Sequence, residues 1–96
     1  GGGRIVRPWL GARVQPVTQD IARSLGLDRP QGVLVADLYP GSSAERAGLA
    51  RGDVVLSVAG SPVFDEAGLR YQFATQNPGA RVQLETLRGA SRRSLT

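Results

Sequence analysis

Ser42, Ser43, Ser57, Ser61, Ser91 and Ser94 carry hydroxyls that could attack a carbonyl, but a serine works as a nucleophile only beside a base. The sequence contains no histidine, cysteine or lysine. A Ser-His-Asp relay, a cysteine nucleophile and a Ser–Lys arrangement are therefore excluded, and no catalytic residue is expected. The eight acids never gather with the spacing of a metal loop, so neither a bound metal nor any other cofactor is expected. Asp53, after Gly52, reads as a turn acceptor for backbone amides rather than an acid catalyst. Arg51-Gly52-Asp53 spells an adhesion tripeptide, a match short enough to arise by chance. Glu66 and Arg70 stand four apart, the spacing of a solvated helical ion pair worth only about 0.3–0.5 kcal/mol.

All twelve cations are arginines, giving a net charge of +4. Nucleic-acid binding needs clustered cations to displace counterions, with a steep loss of affinity in salt. Here the arginines are scattered from Arg4 to Arg93, and the only adjacent pair, Arg92-Arg93, would point to opposite faces of a strand. Aromatic residues make up 5%, too few for a stacking platform. The cations read as a solvated surface, and no nucleic-acid partner is expected.

The elements that must position these residues follow from periodicity and punctuation. Arg13-Val14-Gln15 extends until Pro16. Thr18 caps a short helix with Ile21, Ala22 and Leu25 on one face, closed by Gly26. Val33 to Tyr39 is a strand apolar on both faces, with Val33 and Val35 on one side and Leu34, Ala36 and Leu38 on the other. Ser42 and Glu45 form a capping box for a second short helix ending at Gly48. Val54 to Val58 is another buried strand. Asp65 caps the main helix, Glu66 to about Gln76, stopped by Asn77-Pro78-Gly79. Arg81 to Leu87 and Arg92 to Thr96 alternate as strands, and Ile5-Val6 is short and extended.

Ninety-six residues with a 41% apolar share suit one domain. Residues 1–4 read as a linker or cloning remnant and 5–96 as a domain excised from a longer protein. No apolar run reaches the length of a membrane span, so no direct membrane insertion is expected, and no targeting signal is evident. The expected fold is α+β: a small, curved, mainly antiparallel sheet or half-open barrel of five or six strands, with one main helix and two short ones.

Three stretches, in order, resemble the PDZ domains of HtrA/DegP-type, trypsin-like serine proteases. They are Arg7-Pro8-Trp9-Leu10-Gly11-Ala12; Gly32-Val33-Leu34-Val35 through Tyr39-Pro40-Gly41-Ser42-Ser43-Ala44 to Ala47-Gly48-Leu49; and Gly52-Asp53-Val54 through Gly60-Ser61-Pro62-Val63. The resemblance runs from Ile5 to Thr96, and the segment Thr18 to Pro30 is closer to bacterial HtrA proteins than to animal scaffold PDZ domains. It implies a PDZ-like fold with its carboxylate loop near the N-terminus, attached to a protease domain not contained in this chain.

The resemblance further implies recognition without catalysis. Successive amides of Trp9, Leu10, Gly11 and Ala12 would hold a terminal carboxylate, with Arg7 adding charge. Trp9 could equally be a core anchor. Ala12, Arg13, Val14 and Gln15 would pair with a ligand peptide by strand addition. Glu66, Arg70 and Phe73 would border it, and Leu10 and Phe73 would line the pocket for its last side chain. Ala12 is smaller than the usual residue at its place, implying a wider pocket. Glu66 stands where many scaffold PDZ domains carry histidine, so their preference for Ser or Thr should be missing. The implied partners are hydrophobic C-termini of peptides or unfolded proteins and the parent's protease domain, in a homo-oligomeric parent of the bacterial periplasm or cell envelope. A PDZ module of an intramembrane or tail-specific protease or a secretion component, or a domain used mainly for oligomer assembly, remain the alternatives.

Overall fold

The two central strands form where valine and leucine residues run together, and each helix forms where a side-chain cap precedes it. A computed structural model of the chain describes residues 11–76, 81–89 and 91–95. The strands are β1 (Ala12–Pro16), β2 (Val33–Leu38), β3 (Val54–Val58), β4 (Ser61–Pro62), β5 (Leu84–Arg88) and β6 (Ser91–Leu95); the helices are α1 (Gln19–Ser24), α2 (Ser43–Arg46) and α3 (Glu66–Ala74). One antiparallel sheet runs in the order β1-β2-β3-β5-β6, with β4 paired to the end of β3. Its edges, β1 and β6, do not pair with each other, so the sheet stays open. This is the expected α+β architecture. The extended Ile5-Val6 and the turn Asn77-Pro78-Gly79 lie outside the described residues.

The caps work as their sequences require. The Thr18 hydroxyl accepts from the Ile21 amide at 3.2 Å and the Asp65 carboxylate from the Gly68 amide at 2.7 Å. Both short helices end in a Schellman pair: Leu27 and Gly26 donate to Ala22 and Arg23, and Leu49 and Gly48 to Ala44 and Glu45. The capping box of α2 is only half as expected. Ser42 Oγ accepts from the Glu45 amide, but the Glu45 carboxylate accepts from Gly41 instead of Ser42, whose own N–H already donates to the Tyr39 carbonyl.

Two bulges decide how the sheet divides its apolar residues. Between Arg13↔Asp37 and Val14↔Val35 the register skips Ala36, and between Val55↔Thr86 and Ser57↔Glu85 it skips Leu56. One extra residue reverses the alternation beyond it. Leu38 therefore joins Val33 and Val35 on the face covered by α2 and α3, contrary to the expected side with Leu34. The same device puts Val58 with Val55 in that core, beside Ala12, Ala44, Leu49, Val63, Leu69 and Leu84. A smaller core on the other face joins Val17 and Ala22 to Val54, Leu56 and Leu87. β5 begins at Leu84 rather than Arg81, while Val82 still packs inward.

Leu69 is the fully buried residue of α3 and the anchor that seats the helix on the sheet. Replacing it with alanine should cost about 2–5 kcal/mol, read as a lower urea midpoint with an unchanged slope.

Candidate functional site

β1 hydrogen-bonds to β2 along one side and, among the described residues, to no strand along the other. Which of its amides face outward is settled by β2. The Val35 N–H donates to the Asp53 carbonyl at 2.7 Å, and the Val35 carbonyl accepts from Gly52 at 2.8 Å. Both polar groups of Val35 are thus spent toward the β3 side. Val14, opposite Val35, stands in a non-hydrogen-bonded pair and turns its own N–H and C=O away from β2. Gly11, whose carbonyl accepts from Tyr39 at 2.9 Å, faces β2, so Ala12 shares the outward side with Val14. Pro16 ends this edge, and lacking an N–H it offers no bond to a chain pairing beyond it.

The side chains of β1 alternate across the same strand. Ala12 is fully buried and Val14 half-buried against the larger core, while Arg13 and Gln15 are exposed. The Ala12 methyl therefore belongs to the core and does not form an open wall. α3 lies against β1, and Phe73, half-buried, packs on the same core as Val14. Arg70 donates through Nε and a terminal nitrogen to Glu66 Oε2 at 3.2 and 3.0 Å, with both side chains about two-fifths exposed. The expected solvated pair is present. β1, carrying Ala12–Gln15, thus lies against α3, carrying Glu66, Arg70 and Phe73, the two elements expected to wall the groove. Arg7, Trp9 and Leu10, expected to complete it, lie outside the described residues.

Gly11 enters the strand with φ +86, the left-handed region. A Cβ there would collide with Ser42 Cβ and come within 3.1 Å of its Oγ. This glycine, whose amide is among those expected to hold a carboxylate, abuts the N-cap of α2, a contact with no signal in the sequence.

A second feature escaped sequence reasoning. Asp53, 1% exposed, accepts from Ala50 at 2.9 Å, as a turn acceptor should, but also takes a two-pronged bond from Arg88. Arg88 Nε and a terminal nitrogen donate to its two oxygens at 2.8 and 2.9 Å, and that terminal nitrogen also reaches the Gly48 carbonyl at 2.9 Å. The Asp53 carboxylate, chiefly through this hydrogen bond, raises the Arg88 pKa further above its ordinary value. Thirty-five positions separate the partners, beyond any local pattern.

The polar hollow of about 170 Å³ lined by Ser57, Gly60, Gln83, Glu85 and Ser94 is less apt as a site. Its groups bond one another, with Gln83 donating to Ser94 at 2.7 Å and Ser57 to Glu85 at 3.4 Å. Among the described residues no helix is long and apolar enough to cross a membrane.

Comparison with known proteins agrees with this geometry. The family model described as PDZ domain matches residues 8–96. A probable periplasmic serine endoprotease, DegP-like, of Halomonas elongata is 44% identical over 98% of this chain, and its counterpart in Ectopseudomonas mendocina is 40% identical over 97%. The chain spans about a fifth of the length of either. Among solved structures, the HtrA3 PDZ domain bound to the phage-derived ligand FGRWV superposes with a TM-score of 0.74 at 25% identity, covering 92% of this chain and 80% of that one. The HtrA-type protease AlgW with a decapeptide gives 0.72 at 34% identity, covering 91% of this chain and 27% of that one.

Gly11→Ala should destabilise the domain by about 1–3 kcal/mol through the left-handed backbone alone, with a further loss from the Ser42 contact. Adding Ser42→Gly should recover only the second part. Equal stability of Gly11→Ala and wild type in urea would contradict this placement.

Proposed function

The chain belongs to the PDZ domain family, and on that ground we propose that it is a peptide-receptor module that adds the C-terminal end, or an exposed extended segment, of another polypeptide as a strand along β1. The observation that carries this reading is the outward-facing N–H and C=O of Val14, on an edge strand that α3 flanks. Strand addition satisfies such groups, and the alternate side chains select the ligand. The amides of Trp9, Leu10, Gly11 and Ala12 hold the terminal carboxylate, assisted by Arg7. The final apolar side chain enters a pocket between Leu10 and Phe73. Glu66 and Arg70 tune the position two residues back, and without a histidine at Glu66 no preference for Ser or Thr arises there.

The energetics favour weak, reversible capture. About four strand hydrogen bonds contribute roughly 0.5–1.5 kcal/mol each, and one buried aliphatic side chain about 1.5–3 kcal/mol. Ordering the free peptide costs about 2–5 kcal/mol. Micromolar affinity, about −8 kcal/mol, is the ceiling for a short ligand, so firm retention requires several domains acting together.

The names of the relatives support a role within a longer parent protein. The module works beside a serine endoprotease domain in the periplasm or cell envelope, delivering substrate or relaying occupancy to the catalytic part, within a homo-oligomer. Catalysis itself resides outside this chain.

A library of C-terminal peptides scored by fluorescence anisotropy tests the reading. Peptides ending in an apolar residue with a free carboxylate should bind with micromolar Kd, and amidation of that end should weaken them at least tenfold, about 1.4 kcal/mol. Binding indifferent to amidation would refute carboxylate capture.

A further inference from the structure

Asp53 and Arg88 have no part in the groove as described, because β2 and β3 separate β1 from β5. Their connections nevertheless lead to it. The two-pronged bond and the additional bond from Arg88 to the Gly48 carbonyl hold the turn from the end of α2 to β3. Within that turn Asp53 also accepts from the Ala50 amide and donates its own N–H to the Ala50 carbonyl at 3.0 Å. Gly52 and Asp53 are the residues that occupy both polar groups of Val35, at 2.8 and 2.7 Å. Val35 borders the β2 bulge and stands opposite Val14. A loosened turn would free Val35 to shift register, and a one-residue slip redirects every group beyond it.

We infer that Asp53 and Arg88 are positioning residues for peptide capture, holding Val35 through the 48–53 turn so that Val14 keeps its backbone aimed into the groove. This rests on the strand-addition reading above and names what regulates the aim of that site. Arginine suits the task because its rigid fork meets both carboxylate oxygens while a third bond goes to a carbonyl; an ammonium has no such planar geometry.

The test compares wild type, Arg88→Met, Arg88→Lys and Leu27→Ala, the last being a control that loosens the small core on the opposite face. The probe is the pentapeptide FGRWV with a free carboxyl end, titrated well below every melting temperature. Arg88→Met should raise Kd about 3- to 30-fold, with Arg88→Lys between it and wild type. Amide exchange at Val35 should accelerate in Arg88→Met and not in Leu27→Ala. Leu27→Ala should lose thermal stability while keeping the wild-type Kd. Wild-type affinity in Arg88→Met would overturn the inference alone, as would a loss of affinity in Leu27→Ala equal to that in Arg88→Met. If wild type itself ignored FGRWV, strand addition and the positioning role would fall together.

Discussion

A backbone amide in a strand points to one side only, and that constraint organises this protein. Val35 directs both its polar groups to Gly52 and Asp53, so its neighbour Val14 must direct both of its own the other way. Edge strands are normally blunted against unwanted pairing. Here the open edge is five residues long, ends at Pro16 and carries Arg13 and Gln15 on its exposed face. α3 lies against this strand.

Much of the remaining structure serves to hold that edge. Leu69 seats α3, and the bulges at Ala36 and Leu56 keep apolar side chains on the face the helix covers. Gly11 brings the chain into β1 against Ser42, the N-cap of α2. The end of α2 passes into the turn clamped by Arg88. The two ends of one very short helix thus meet Gly11 and the turn clamped by Arg88.

The chain holds no histidine, cysteine or lysine. Recognition by main-chain hydrogen bonds needs no histidine, cysteine or lysine; it needs an edge, a wall and converging amides. The relatives that match this chain are about five times as long and are named probable periplasmic serine endoproteases.

Local chemistry made much of this legible from residue types alone. Thr18, Ser42 and Asp65 announced three helices because a cap bonds an amide three residues away, and Gly26 and Gly48 announced two of their ends. The apolar runs at Val33 and Val54 marked the central strands, and the family resemblance implied β1 and α3 as candidate walls. Tertiary structure alone decided the side on which Leu38 packs, the partner of the Glu45 carboxylate, the contact between Gly11 and Ser42 and the bond from Arg88 to Asp53. The division has one physical cause. Caps and alternation act across three or four residues and are written in their spacing, whereas bulges and long-range ion pairs arise only when separate segments compete for the same space and the same donors.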